Sequence, residues 1–222
     1  MKAQGINANI LLLAMLPSVS IGLVNGFYKE SIYHLDPIWF WLADLTQFVF
    51  VPVVVLYALK RFGGWRPRQY GFHPIGAVDF VGLTLIAAFL FWLFYEPVGR
   101  LFSIWLGTNS PDFSYKSVLP SSLLLRALVV VYFAATAAVV EEVMFRALPW
   151  CFFSSRDGSG SPFWRYALIS SLLFGLIHWE NGAHEVVSTF MLGFVACVLY
   201  VKINNIWPLI GAHFLTDVRS FW

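Results

Sequence analysis

Charged side chains are scarce in this chain: Asp, Glu, Lys and Arg make up 12% of its 222 residues. Soluble domains carry about 25% charged residues, so this composition argues against a soluble globular protein. The net charge of +2 is too small to indicate nucleic-acid binding. Hydrophobic residues make up 59% of the chain and aromatic residues 18%, and the mean hydropathy is +0.72. We therefore expect an integral membrane protein with lipid as its surroundings and no nucleic-acid partner.

Cysteine is also rare. Cys151 and Cys197 lie in different apolar segments and do not have the spacing of a metal-binding pair. We interpret both as packing residues.

Several catalytic patterns are missing as well. There is no His-Glu-x-x-His string, which an intramembrane zinc protease would need, and no glycine loop of the phosphate-binding type. The Gly-Ser-Gly string at 158–160 lies in a polar connector, away from any membrane histidine at a fitting distance. An aspartyl mechanism needs two facing aspartates within the membrane, and few candidates exist: Asp44, Asp79 and Asp217.

Long apolar runs dominate the sequence. A membrane-spanning helix needs about 20 mostly apolar residues, and in lipid its backbone groups must be satisfied within the helix. We predict an all-α fold, a polytopic membrane helical bundle of about seven transmembrane helices. Residues 1–222 would form a single integral membrane domain with a catalytic core at about 123–222. The predicted spans are 7–27, 38–59, 77–98, 123–148, 163–180, 184–202 and 205–222.

The basic residues suggest an orientation. They crowd the connector after the second predicted span, and by the positive-inside rule this connector is cytoplasmic. With seven spans the N-terminus is then also cytoplasmic and the C-terminus outside. The segment 61–73 is both basic and aromatic, and either lies along the lipid headgroups or is a solvated loop. The basic residues placed on the cytoplasmic side are Lys2, Lys60, Arg61, Arg66, Arg68, Arg156 and Lys202.

Ionisable residues are costly in hydrocarbon, so their presence in apolar spans indicates function. Glu141 and Glu142 end a largely apolar run that begins at Leu123, and Arg146 follows four residues later. Residues four apart lie about 40° from each other around a helix, which predicts that Arg146 pairs with Glu142. Glu141 is then left as a candidate general base. The alternative is an ion pair that only stabilises the helix packing, but such a pair would not require the second glutamate.

Two later spans each carry a histidine. His178 lies one turn after Phe174, and the neighbouring Gly175 would let another helix approach closely. His213 and Asp217 are one turn apart and share a helix face, so Asp217 could accept a hydrogen bond that fixes the tautomer of His213. The alternatives are a histidine that only packs and a local pair that only stabilises its helix.

Other ionisable residues are less informative. Glu180, His184 and Glu185 lie around the turn before the sixth predicted span. They could belong to the mouth of a site, but we favour solvated connector residues. No partner can be assigned from the sequence to several others: Asp44, Asp79, Glu96 and Arg126.

The three patterns occur in order and each lies in an apolar span. Together they resemble the CPBP family of intramembrane proteases, which includes CAAX-processing endopeptidases, bacteriocin-processing or immunity proteins, and myxosortase-like sorting proteases. The resemblance covers about 123–222 and implies a glutamate-dependent peptidase that needs neither a metal nor another cofactor. The patterns are Glu141-Glu142-x-x-x-Arg146, Phe174-x-x-x-His178 and His213-x-x-x-Asp217.

The resemblance also implies roles for these residues. Glu141 and His178 would activate the attacking water, and Glu142 and Arg146 would order the site. His213 and the residue at 217 would stabilise the oxyanion. The commonest family pattern has asparagine at 217, and an ionised aspartate cannot donate a hydrogen bond. Asp217 is therefore expected to be protonated or to orient His213.

The expected substrate is a membrane-anchored or lipid-modified protein cut near its C-terminus, and the expected location is a bacterial inner (plasma) membrane. Glu141 and His178 each lie about 25–30 Å from the centre of the cytoplasmic connector 154–161 if the intervening chain is helical. This places the site towards the outer leaflet, where an exported protein with a hydrophobic C-terminal anchor would be cut. A site open to the cytoplasm would instead favour a prenylated substrate.

Other functions remain open from the sequence. A non-catalytic membrane binding or immunity protein could use the same polar cluster. A metal-dependent hydrolase could use Glu141, His178 and His213 as ligands, since three ligands and a water suit zinc. A transporter is a further alternative, but acidic residues spread along a proton pathway are not evident.

Overall fold

The computed structural model describes residues 7–33, 37–106, 118–156 and 162–222. Within these ranges the chain is helical and contains no strand, which confirms the predicted all-α fold. The described residues form nine α-helices: α1 Ala8–Tyr33, α2 Pro37–Leu45, α3 Val51–Arg61, α4 Ala77–Leu106, α5 Leu123–Glu142, α6 Leu148–Arg156, α7 Phe163–Leu176, α8 Ala183–Ile203 and α9 Trp207–Phe221.

Two pairs of these helices are continuous. A π-helical turn, Thr46–Phe50, joins α2 to α3, and a second one, Val143–Ala147, joins α5 to α6. Short 3-10 turns lie at Pro67–Tyr70 and Trp179–Asn181. Single π-helical turns within α-helices are frequent at functional sites, and the second one contains Arg146.

Four helical segments are long and apolar enough to cross a membrane: Ile38–Arg61, Ala77–Leu106, Leu123–Arg156 and Ala183–Ile203. Large apolar side chains cover their outer faces, as lipid-facing helices require. Ala8–Val24 and Phe163–Leu176 are shorter apolar helices. The protein is an integral membrane protein, and the count of seven spans stays a prediction.

Glycines allow close approach where the predicted site helices meet their neighbours. A Cβ on Gly175 of α7 would lie 2.7 Å from the carbonyl oxygen of Val186 in α8, so only glycine fits there. This confirms the expectation that Gly175 admits a neighbouring helix. A Cβ on Gly211 of α9 would lie 2.9 Å from the side chain of Thr84 in α4. These two contacts hold the backbones near His178 and His213 against α8 and α4.

The basic connector after α3 is folded onto the turn between α8 and α9. Tyr70 is fully buried and its hydroxyl donates to the carbonyl of Gly64. The backbone N–H of Ile206 donates to the carbonyl of Gly71 at 3.0 Å. Arg66, like the other basic residues of this connector, is exposed. The segment is therefore an anchored loop with an exposed basic surface rather than a wholly solvated one.

Both cysteines are buried and neither forms a disulfide, as expected of packing residues. Partners can also be assigned to three residues that the sequence left without one. Tyr132 donates to Asp44 at 2.8 Å, Arg126 donates to the carbonyl of Pro120 at 3.2 Å, and Glu96 pairs with Arg219 at 3.0 Å.

Replacing Gly175 with alanine should lower the free energy of unfolding by about 1–3 kcal/mol, because the added methyl group cannot fit against the α8 backbone. The matched control is Gly82→Ala in α4, where a Cβ would meet open space. That change should be neutral or slightly stabilising, since alanine favours helix. Thermal unfolding of both variants in detergent measures the difference. Equal melting temperatures would contradict the close packing of α7 on α8.

Candidate active site

Glu142 and Arg146 form a fully buried ion pair. Both side chains have 0% exposure, and the Nε of Arg146 lies 3.3 Å from one carboxylate oxygen, Oε2, of Glu142. This is the pairing predicted from the spacing of four residues. A buried carboxylate without a partner would cost several kcal/mol, so the pair allows Glu142 to remain charged away from water.

His213 of α9 connects this pair to the other carboxylates. Its Nδ1 donates to the second oxygen, Oε1, of Glu142 at 2.8 Å. On the opposite side of the ring, Nε2 lies 3.6 Å from Glu141 and 3.5 Å from Asp217. The tautomer of His213 is therefore set chiefly by Glu142 and not, as expected, by Asp217, because the bond to Glu142 is much the shorter one.

Nε2 of His213 lies between two carboxylates, Glu141 and Asp217. When Nδ1–H donates a hydrogen bond to Glu142, a neutral imidazole presents a lone pair at Nε2 to these two carboxylates. Such close acceptors would repel one another unless a proton lay between them. Moving a proton among them would need little displacement of the side chains, as general acid–base catalysis requires.

The predicted span 163–180 placed His178 within a membrane helix. In the structure α7 ends at Leu176, and His178 lies just beyond that end. Its Nδ1 donates to the carbonyl of Phe174 at 2.7 Å, so the neutral ring presents Nε2 as an acceptor. The next residue, Trp179, donates from its indole nitrogen to the carbonyl of Leu23 in α1 at 2.8 Å. This contact anchors the turn that carries His178.

Phe174 packs against three site residues. The guanidinium carbon of Arg146 lies 4.2 Å from the centre of its ring, a cation–π distance. The ring centre is 5.0 Å from that of His178 and 6.1 Å from that of His213. Phe174 therefore fixes the relative positions of the arginine and both imidazoles, a role that the sequence did not indicate.

A cavity of about 660 Å³ brings these groups together. Four of the six predicted site residues line it: Glu141, His178, His213 and Asp217. Glu142 and Arg146 lie behind this layer and support it. The cavity also contains apolar and aromatic side chains, so it can receive both a peptide and an apolar segment.

The residues around the α7–α8 turn were assigned wrongly as solvated connector. Glu180, His184 and Glu185 line the same cavity. Tyr95 of α4 donates to Glu185 at 2.5 Å and so ties α4 to the start of α8. Glu180, His184 and Glu185 follow His178 closely in the sequence, and this closeness favoured a place at the site. Nothing in the sequence indicated that Tyr95 would lie there.

In the described part of the chain, no group of three or more His, Cys, Asp or Glu side chains has an arrangement that could hold a metal ion. Two carboxylates and two imidazoles face one cavity, and side chains of these kinds can supply acid–base chemistry. A hydrogen bond orients each imidazole.

The fold and the site define a membrane-embedded protein with acid–base groups around an internal cavity. Residues 122–219 match the family described as "Rce1-like: Type II CAAX prenyl endopeptidase Rce1-like", which consists of intramembrane proteases. The match covers less than half of the 222 residues and includes all six predicted site residues. This segment is similar to that family, which agrees with the resemblance to the CPBP family that the sequence predicted. No curated protein and no solved structure matches the chain.

Replacing Arg146 with methionine should lower the free energy of unfolding by about 3–5 kcal/mol, because the carboxylate of Glu142 loses its buried counter-charge. The double variant Glu142→Gln/Arg146→Met should recover much of this loss, since no unpaired charge is then buried. Thermal unfolding in detergent measures both effects.

The matched control is Arg100→Met, which breaks an exposed Glu–Arg pair of the same spacing, Glu96 with Arg100 at 3.5 Å. Exposed pairs contribute about 0–1 kcal/mol, so this variant should be nearly as stable as the wild type. If Arg146→Met lowered the free energy of unfolding as little as Arg100→Met, the buried pair would not have the structural role described.

Proposed function

We propose that the protein is an intramembrane endopeptidase in which Glu141 activates a water molecule without a metal ion. The supporting observation is that Glu141, His178, His213 and Asp217 line one cavity while Glu142 and Arg146 hold them from behind. The family of the 122–219 segment supports peptide hydrolysis as the reaction.

In this proposal the carboxylate of Glu141 is the general base. It takes a proton from water, and the water oxygen forms a bond to the carbonyl carbon of the scissile peptide. Nε2 of His178 is free to accept the second hydrogen bond of that water, because Nδ1 is held by Phe174. The protonated Glu141 then gives its proton to the leaving nitrogen as the C–N bond breaks. The products are a carboxylic acid and an amine, so all atoms of the water are accounted for.

His213 is the proposed donor to the oxyanion of the tetrahedral intermediate. A proton on Nε2 would point towards the space shared with Glu141, where the carbonyl oxygen would lie. Asp217, at 3.5 Å from the same nitrogen, favours that protonated form. Asp217 would therefore act through His213, which explains how an aspartate can stand where the family pattern most often has asparagine.

The position of the cavity mouth supports a site that opens away from the basic connector. The lining includes Glu180 in the α7–α8 turn and two largely exposed arginines, Arg100 in the last turns of α4 and Arg219 at the end of α9. We assign the mouth to this end of the cavity because these side chains reach the surface. The basic connector lies at the other end of the bundle, against the α8–α9 turn. If that connector is cytoplasmic, as the positive-inside rule predicts, the cavity opens outside.

We infer that the substrate is an exported, membrane-anchored or lipid-modified protein of a bacterial plasma membrane that is cut near its C-terminus. A cavity with apolar walls and a polar catalytic end suits an apolar segment whose backbone reaches the carboxylates. If the mouth faced the cytoplasm, a prenylated substrate would replace this proposal.

The change Glu141→Gln should reduce peptide cleavage by about 10²–10⁴-fold, because an amide cannot take the proton of water. Mass spectrometry of membrane-protein C-termini, in cells with the wild type or the variant, should reveal unprocessed proteins in the variant. The control Asp79→Asn removes a carboxylate at the other end of α4, outside this cavity, and should leave processing unchanged. Identical C-termini in wild type and Glu141→Gln would favour a non-catalytic binding protein instead.

A cysteine placed at Ala183 should react with a membrane-impermeant maleimide from outside intact cells, because this exposed residue lies beside the cavity mouth. A cysteine at Phe62, which is 66% exposed at the opposite end of the bundle, should react only after the membrane is opened. Both native cysteines are buried and can be replaced with alanine first. The reverse labelling pattern would place the mouth in the cytoplasm.

A further inference from the structure

Two arginines at the mouth of the cavity have no part in the proposed hydrolysis. Of the described residues that line the cavity, Arg100 and Arg219 are the ones with a permanent positive charge. Their side chains are 80% and 61% exposed, so their guanidinium groups remain accessible. They come from different helices, α4 and α9, and meet at one carboxylate.

That carboxylate is Glu96, which pairs with both arginines. Arg219 lies 3.0 Å from one of its oxygens and Arg100 lies 3.5 Å from the other. One negative charge between two positive charges leaves a net charge of about +1 at this point. Each guanidinium has five N–H donors, so one shared carboxylate leaves most of them available for a further acceptor.

The deeper part of the cavity has the opposite character. Glu141, Asp217 and Glu185 all line it, and an anionic ligand there would be repelled. The α7–α8 turn at the mouth also carries a carboxylate, Glu180. A negatively charged group in the cavity is therefore stabilised beside the two arginines rather than beside these carboxylates. This difference in charge would orient a peptide along the cavity.

The distance between the two regions suits the end of a peptide. Arg219 follows His213 by six residues on α9, about 9 Å along the helix axis. An extended chain rises about 3.3 Å per residue, so a tail of a few residues spans this distance. A peptide bond at the catalytic groups and a terminal carboxylate at the arginines can be bound at the same time.

We propose that Arg100 and Arg219 form a binding site for the C-terminal carboxylate of the substrate peptide, with Glu96 holding the two guanidinium groups in place. This inference rests on the proposed endopeptidase function and adds the end of the chain that is recognised. The site makes the enzyme select free C-termini over internal segments.

The test is a binding experiment that does not need catalysis. The full chain with Glu141→Gln is placed in phosphatidylcholine nanodiscs and offered a pool of synthetic apolar peptides, each present as a free acid and as a C-terminal amide. Mass spectrometry of the retained peptides should show the acids enriched about 10-fold over the amides, because a charge-assisted bidentate contact is worth about that ratio. Equal retention of acids and amides, or retention of neither, would overturn the proposal.

Variants assign the enrichment to the arginines. Adding Arg100→Gln or Arg219→Gln should bring the acid-to-amide ratio towards one. The control Lys202→Gln removes a positive charge from the end of α8 far from this mouth, and should leave the ratio unchanged. A ratio insensitive to both arginines would overturn the proposal.

The same arginines could instead bind a lipid phosphate, and the nanodiscs separate the two sources of negative charge. If lipid is the ligand, the acid-to-amide ratio of the retained peptides is one in phosphatidylcholine nanodiscs. Phosphatidylglycerol is then enriched around the wild type but not around the arginine variants. This outcome would overturn the proposal. Cleavage of the same peptide pool by the wild type tests the endopeptidase function separately. If the wild type cleaved the acids and the amides at equal rates, the endopeptidase function would stand and the proposed carboxylate site would be wrong.

Discussion

The carboxylate of Glu142 is buried with no exposure, and the rest of the site depends on how its charge is balanced. Arg146 pairs with one of its oxygens from the same continuous helix, and His213 donates to the other from α9. Because these partners lie on separate helices, satisfying one carboxylate fixes how α5 and α9 face each other. The neighbouring Glu141 lies about 100° further around the helix, which turns it to the cavity.

The packing around the site also holds the reactive groups in place, so they need little rearrangement before they can react. Phe174 packs against Arg146 and both imidazoles, and the glycine contacts of α7 and α9 keep the surrounding backbones close. In a low-dielectric membrane interior, oriented polar groups act more strongly than they would in water. The cavity then combines a rigid acid–base end with an apolar wall and a mouth that carries two arginines.

Local geometry explains what could be predicted from the sequence. The Glu142–Arg146 pair and the small-residue contact at Gly175 follow from helix periodicity, so their spacing was enough. The bond between Glu142 and His213 joins residues 71 positions apart, and no periodicity indicates it. For the same reason the contact of Tyr95 with Glu185 could not be foreseen. The end of α7 before His178 was missed because apolar composition continues past the last helical residue.

The proposed function depends on Glu142 and His213 being held together beneath a cavity that contains Glu141 and His178. An experimental structure of the full chain in lipid nanodiscs measures this directly. We expect Nδ1 of His213 within hydrogen-bonding distance of the Glu142 carboxylate, with Nε2 facing Glu141. A structure in which His213 faces lipid, or in which Glu141 and His178 line different cavities, would contradict the account.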